Sequence, residues 1–199
     1  MGLAAVRGIL ENLQEKVKGF PATLLLSLLG AGLIALSAQV KFYLPWTPVP
    51  VTGQTFAVLL TGALLGAPGG GLSALFYLLL GGLGIPWFAA AASGGWQVLA
   101  GPTGGYLWGF VISSSFVGYL TERFAWARQL PGMILVMLFA NFVLIHGPGL
   151  FWLKVVTATS SWKQLLTIGL FPFISGDLLK IAAAAAVATG VTKICSRIH

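Results

Sequence analysis

One feature limits the possible folds more than any other: residues 21–40 form a run of twenty residues without a charge. As an α-helix this run is about 30 Å long, which matches the hydrocarbon core of a bilayer. It is longer than the ~7–15 apolar residues of a signal-peptide core, and its flank has no obvious small-residue cleavage site. We therefore predict a retained transmembrane helix.

The charged residues are too few to cover a water-soluble domain. Only 8% of the 199 residues are charged, whereas soluble domains carry roughly 25%. The net charge of +7 does not indicate a nucleic-acid partner, because Lys and Arg lie singly at the ends of apolar runs. The single cysteine, Cys195, cannot form an intramolecular disulfide or supply a metal-ligand set. We expect a lipid bilayer around the chain, no nucleic acid and no metal.

The apolar segment after the first helix is divided into two short pieces. Three prolines in the loop 41–52 exclude a regular helix there. Residues 54–66 and 70–83 would each reach only about 20 Å as helices. We expect a short helical hairpin that turns at 67–69 and lies within a bundle, since lipid cannot satisfy the backbone at its ends.

Longer spans follow residues 84–102, a segment rich in glycine, alanine and aromatics for which we predict no helix. These spans are 103–122, 132–152 with a break near 147–149, and 172–192, which begins at a proline suited to a first turn. The predicted fold is an all-α integral membrane protein of six transmembrane helices with short helices 2 and 3. We expect one membrane domain over 1–199, with a cytoplasmic amphipathic segment at 1–20 and the bundle at 21–193.

The distribution of Lys and Arg predicts the orientation. With six spans, both termini and the turns at 67–69 and 123–131 share one side of the membrane. That side carries seven basic residues and the other side three. The positive-inside bias therefore places both termini in the cytoplasm of a multi-pass cell-membrane protein. The eleventh basic residue is Lys180, inside the last span.

Apart from Glu122, the last residue of its span, Asp177 and Lys180 are the two charged residues that fall within a predicted span. Each costs roughly 2.5–3.5 kcal/mol at mid-bilayer on insertion scales, so something must compensate them. Three residues apart, they share one helix face and can share a cavity in the outer half of the membrane. They either neutralise each other as a structural pair or line an outward-facing pocket. Such a pocket suits a small ligand with N–H donors and a carboxylate, covered by the aromatic segments 41–52 and 84–102.

No motif for catalysis is present. The sequence lacks a Gly-x-Ser-x-Gly elbow, a His-Glu-x-x-His pair and a P-loop. His146 is interpreted as a packing residue near a helix end. We therefore expect no enzyme activity, and any ATP that drives transport must be hydrolysed by another chain.

Small residues recur at helical spacing in three spans. Gly62 and Gly66, and Gly105 and Gly109, are interpreted as contacts inside the bundle, because small side chains let helices approach closely in lipid. For the first helix, the stripe that contains Ala31 and Ala35 fits packing within this chain or an interface with a partner, and both interpretations stay open.

Four motifs in order carry a family resemblance. They are Pro48–Thr55 (PVPVTGQT), Tyr77–Phe88 (YLLLGGLGIPWF), Gly101–Phe110 (GPTGGYLWGF) and Pro172–Lys180 (PFISGDLLK). Together they resemble the BioY family, the biotin-binding S components of energy-coupling factor (ECF) transporters. The resemblance covers residues 21–193.

The resemblance implies a ligand and its contacts. Asp177 would meet the ureido N–H groups of biotin, and Lys180 a polar end of the same ligand. Gln54 and Tyr106 are further polar candidates, and Phe88 and Trp87 are candidates for apolar cover. After Phe88 the segment offers only Ser93 as a polar residue, where some members of the family carry a polar or basic one. No cofactor is implied.

The resemblance also implies partners. An S component docks through small residues of its first helix, which Ala31 and Ala35 match, onto a membrane coupling subunit that two cytoplasmic ATPases drive. The expected function is biotin uptake. The alternatives are an S component for a different vitamin and a non-transporting membrane scaffold with a structural Asp–Lys pair.

Overall fold

The computed structural model describes residues 20–89, 95–159 and 161–196, and within them the all-α prediction is confirmed. The predicted segment 1–20 lies outside the described residues except for Phe20. The α-helices are α1 (Phe20–Gln39), α2 (Gln54–Gly82), α3 (Trp96–Ala100), α4 (Gly104–Arg123), α5 (Leu130–Phe139), α6 (His146–Thr157), α7 (Trp162–Gly169) and α8 (Ile174–Ser196). The strands β1 (Lys41–Phe42) and β2 (Val51–Thr52) pair antiparallel, Lys41 with Thr52, and close the loop between α1 and α2.

The predicted hairpin is present as the two arms of α2. The chain reverses at Gly66, where φ is 75° and ψ is −177°, a conformation that side chains with a Cβ rarely adopt. A Cβ on Gly70 would lie 2.6 Å from the Cα of Gly62, so the two arms touch backbone to backbone. At the far ends of the arms, Gln54 Nε2 donates to Tyr77 Oη at 2.7 Å. In one straight helix these two residues would be about 35 Å apart.

The first helix agrees with the sequence in its bounds, but its small-residue face is turned inward. Ala31 is 0% exposed and Ala35 is 7% exposed, in the cluster of buried residues that includes the α2 hairpin. Ser27 on the same side donates to the Gly69 carbonyl at 3.1 Å. In this structure Ala31 and Ala35 therefore pack within the chain, which is one of the two interpretations that the sequence left open, and they are not exposed to a partner. The small side chains of α1 pack against the two short arms of α2.

The predicted break near 147–149 is also wrong. The helix continues from α5 through a π-helical segment, Ala140–Ile145, into α6, and Gly147–Gly149 lie within α6. Pro148 cannot donate to the carbonyl of Leu144, and its ring would clash with that carbonyl in a regular helix. The wider π-helical turn immediately before accommodates the proline, so the helix changes its register and does not end.

The remaining differences are local. The segment 84–102 contains the one-turn helix α3, which is too short to leave a periodic pattern. The last span begins with a 3₁₀ turn at Phe171–Phe173, so α8 starts two residues after Pro172. Residues 153–170, which lie between two predicted spans, contain the end of α6 and all of α7.

The outer surface of the bundle is apolar. Leu36, Phe151 and Leu179 are 71%, 65% and 73% exposed, which is expected of side chains that face lipid. Four stretches are long and apolar enough to cross a bilayer: Pro21–Gln39, Gln54–Gly82, Leu130–Thr157 and Trp162–Ile194. The second of them is the folded hairpin. The fold is thus that of a membrane protein with large exposed apolar side chains on its helices.

Candidate ligand-binding site

A cavity opens at the end of the bundle that carries the loop 41–52. About 540 Å³ of space lies between its lining atoms, open mouth included. Both aromatic segments, 41–52 and 84–102, contribute to its wall as expected. The polar and aromatic side chains that line it include those of Thr52, Gln54, Thr55, Phe88, Thr103, Tyr106, His146, Phe173, Asp177 and Lys180.

Asp177 is the centre of the polar wall and is 1% exposed. It lies in the first turn of α8, where the helix dipole stabilises a carboxylate. Its Oδ1 lies 2.5 Å from Lys180 Nζ and accepts from Thr55 Oγ1 at 3.3 Å. Its Oδ2 accepts from Asn141 Nδ2 at 2.9 Å. The carboxylate is therefore paired and hydrogen-bonded, which is the condition for keeping a charge inside an apolar bundle.

Lys180 connects α8 to the loop that covers the cavity. Its Nζ donates to the carbonyl of Thr52 at 2.9 Å, in addition to the ion pair with Asp177. The side chain is 17% exposed, and the residue lines the cavity. The spacing-based prediction that the two charges share one helix face and one cavity is therefore correct.

The π-helical segment explains how Asn141 and His146 both reach Asp177. In a regular α-helix residues five apart point about 140° away from each other, whereas the i→i+5 bonding of a π-helix brings them to one side. His146 Nε2 lies 3.1 Å from Asp177 Oδ2, but the two atoms do not have the geometry of a hydrogen bond. The proline that widens this helix thus also places two polar side chains at the carboxylate.

His146, which the sequence indicated as a packing residue near a helix end, is packed in this way and also lines the cavity. It is 3% exposed and lines the cavity, with the rings of Tyr106, Phe142 and Phe173 edge-on at centroid distances of 5.6, 5.7 and 5.8 Å. Pro148, two residues later, was the available signal, because π-helical turns occur often at functional sites. Thr55 and Asn141 gave no comparable signal.

The other predicted residues divide into two groups. Gln54, Tyr106 and Phe88 line the cavity. Trp87 does not line it: its ring packs on Tyr77, and its Nε1 donates to the Tyr77 carbonyl at 3.0 Å. The expectation that Trp87 covers the ligand is therefore not met in this structure. Ser93 lies outside the described residues.

Two of the polar wall residues are held by contacts to the protein itself. Gln54 donates to Tyr77 and accepts from Thr52 Oγ1 at 2.9 Å. Tyr106 donates from its hydroxyl to the Gly169 carbonyl at 2.8 Å, which joins α4 to the end of α7. These bonds fix the side chains before any ligand arrives.

Glycines on α4 bring the cavity wall together, as their spacing predicted. A Cβ on Gly109 would lie 2.6 Å from the Leu144 carbonyl oxygen in the π-helical segment, and one on Gly105 would meet the Pro148 carbonyl oxygen. On the hairpin, a Cβ on Gly62 would lie 2.5 Å from the Ser114 carbonyl oxygen. Helices with larger residues at these positions could not approach this closely.

An apolar helical bundle with an ion pair facing a cavity defines a class: membrane proteins that bind a small, partly polar molecule. Among the described residues no group of His, Cys, Asp and Glu could hold a metal ion. The BioY family model matches residues 12–197. This chain belongs to the BioY family, which is a family of transporters and not of enzymes.

Individual relatives agree with this assignment. The chain is 45% identical to the "Probable biotin transporter BioY" of Methanothermobacter thermautotrophicus, over 67% of this chain and 87% of that protein. It is 36% identical to the biotin transporter BioY of Thermotoga maritima, over 81% of this chain and 90% of that one. The S-component for biotin from an ECF-type ABC transporter has a similar fold, with a TM-score of 0.79, 23% identity, and coverage of 90% of this chain and 93% of that one.

Proposed function

We propose that this chain mediates biotin uptake, and that it binds biotin in the cavity beside Asp177 and Lys180. The observation that carries the proposal is the contact ion pair, 2.5 Å between Nζ and Oδ1, at the wall of a cavity in a chain of this family. The named relatives are biotin transporters.

The ion pair suits one end of biotin in particular. Because the ammonium and the carboxylate touch, both meet the same end of a ligand. A ureido group presents an N–H donor next to a carbonyl acceptor, so the N–H donates to Asp177 and the carbonyl accepts from Lys180. Sequence reasoning left open which end Lys180 meets, and this proximity favours the ureido end. The valerate carboxylate then points toward the mouth.

The apolar ring system of biotin needs an apolar wall. Phe88, Tyr106 and Phe173 line the cavity. Burial of ring surface against such side chains contributes about 25 cal/mol per Å². Trp87 packs on Tyr77, and the ring of Tyr77 packs edge-on against Phe88 of this wall.

We further propose that the bundle forms one domain with six spans, that both termini are cytoplasmic and that the cavity faces outward in the cell membrane. The seven-to-three distribution of Lys and Arg supports this orientation. The chain has no P-loop, so ATP must be hydrolysed elsewhere. An ECF coupling subunit and two ATPase subunits are the proposed partners, and they meet a surface other than the buried Ala31 and Ala35.

Titration of the detergent-purified protein with biotin tests the ligand. We expect saturable heat at micromolar biotin or below, and no response to thiamine or riboflavin at the same concentration. Saturation by another vitamin in place of biotin would favour an S component of different specificity. If none of the three vitamins binds, the result would favour the alternative of a non-transporting membrane scaffold with a structural Asp–Lys pair.

Uptake of labelled biotin by biotin-auxotrophic cells tests the partners. We expect uptake from cells that express this chain together with a coupling subunit and two ATPases, and a loss of that uptake when the ATPases carry P-loop lysine substitutions. Equal uptake by this chain alone, in a host that lacks coupling subunits, would contradict the partner proposal without affecting the ligand proposal.

A further inference from the structure

The side chain of Lys41 carries a positive charge that no carboxylate of the described residues neutralises. Those residues contain two carboxylates, Glu122 and Asp177. Glu122 accepts from the backbone at the turn of the α2 hairpin, at the opposite end of the bundle from the loop 41–52, and Asp177 is paired with Lys180. An ammonium that is partly buried without an anion is costly. The charge of Lys41 is therefore available to an anionic group of a ligand.

Two contacts place the Lys41 side chain at the edge of the cavity. In the strand pair β1–β2, Lys41 lies opposite Thr52, and residues opposite each other point to the same face of a sheet. Thr52 lines the cavity, whereas its neighbour Val51, which points to the other face, does not. Lys41 Nζ donates to the carbonyl of Ala89 at 3.2 Å, and Ala89 also lines the cavity. The ammonium thus lies beside two residues of the cavity wall, with two of its three N–H groups left for a ligand or water.

Lys41 lies nearer to the mouth than the buried ion pair does. Tyr43, two residues along the chain, is 63% exposed and donates to the same Ala89 carbonyl at 2.6 Å, whereas Asp177 is 1% exposed. Lys180 Nζ reaches the same strand pair from inside the bundle, because it donates to the carbonyl of Thr52. A ligand that meets the ion pair with one end and points its other end toward the mouth therefore extends toward Lys41.

We propose that the ammonium of Lys41 binds the valerate carboxylate of biotin, and that Lys41 is thereby the residue with which this chain distinguishes the free acid from its neutral amides and esters. The inference rests on the proposed function and on its orientation, with the ureido group at Asp177. A carboxylate accepts several hydrogen bonds, and a lysine attracts it as a point charge. The two lysines then have separate tasks: Lys180 meets the ureido carbonyl and Lys41 the carboxylate.

The test is a ligand-by-variant cycle in calorimetry, with biotin and with biotinamide, which lacks the negative charge. Lys41→Met keeps most of the aliphatic stem and removes the ammonium. We expect it to weaken biotin binding about 10-fold, because a charge-assisted hydrogen bond is lost, and to change biotinamide binding by less than about 2-fold. Lys41→Arg keeps the charge and should keep most of the biotin affinity. Lys163→Met removes an exposed lysine of α7 and is the matched control, which should bind biotin as the wild type does.

Three results would overturn the inference. The first is an affinity of Lys41→Met for biotin equal to that of the wild type. The second is an equal loss for biotin and biotinamide, which is expected if Lys41 only holds the Ala89 carbonyl in place. The third is a loss confined to biotin when Asp177 and Lys180 are both neutralised, because the ureido end is common to the two ligands and should weaken them equally. If the wild-type protein does not bind biotin at all, the proposed function itself is wrong.

Discussion

Replacing both members of the ion pair, in Asp177→Asn with Lys180→Met, is expected to abolish biotin binding while the protein still folds. The double variant buries no unpaired charge, and neutral replacements of a buried pair are often tolerated. Two charge-assisted hydrogen bonds to the ligand are lost, each about 1.5–3 kcal/mol, so biotin affinity should fall about 100-fold or more. Calorimetry gives the affinity, and thermal unfolding without ligand gives the stability.

Comparison of the single variant Lys180→Met with the double variant separates the effect on binding from the effect on folding. Lys180→Met leaves Asp177 charged and buried without its cation, which costs about 3–5 kcal/mol of stability. The double variant should therefore unfold at a higher temperature than Lys180→Met, although neither binds biotin well. If the double variant bound biotin within a few-fold of the wild type, the pair would be structural, as the scaffold alternative holds.

A single methyl group on α4 should damage both the fold and the site. In Gly109→Ala the new Cβ would lie 2.6 Å from the Leu144 carbonyl oxygen and 2.8 Å from the Ile145 Cα. Both are backbone atoms of the helix that holds Asn141 and His146, and they cannot move as a flexible side chain does. We expect a loss of about 2–3 kcal/mol in stability and a lower biotin affinity, because that helix is pushed away from Asp177.

Gly190→Ala is the matched control for this substitution. Gly190 lies in α8, and a Cβ there meets nothing within 4 Å. Its stability should stay the same or rise by up to about 1 kcal/mol, as for an unhindered helical glycine. Equal melting temperatures for the two variants in the same detergent would contradict the close approach of α4 to the π-helical segment.

The few charged residues of the sequence were the most informative about the class of protein and the position of the site. The scarcity of charge identified a membrane protein, and the spacing of Asp177 and Lys180 placed them on one face and at one cavity, which the structure confirms. The hairpin arms followed from the lengths of two apolar runs. Gly105 and Gly109 followed from their spacing, since close helix contact in lipid requires small residues.

The sequence did not indicate which faces of the helices are buried, because the solvent around this chain is lipid. Lipid tails are as apolar as the interior of the bundle, so a membrane helix has no polar face to indicate which side is buried. The stripe of Ala31 and Ala35 therefore fitted a partner or the core equally well, and only the packing of α1 on the α2 hairpin decided for the core. The same ambiguity concealed the position of Trp87 behind the cavity.

By itself the sequence determined that this chain spans a membrane, belongs to one family and carries two opposite charges three residues apart in its last span. An uncompensated charge is too costly in a bilayer to occur there by accident. The tertiary structure alone decided which side chains face that pair. A π-helical turn before Pro148 changes the register by less than one residue per turn, and that small rotation brings Asn141 and His146 to Asp177. Such a rotation leaves no periodic trace in an apolar helix.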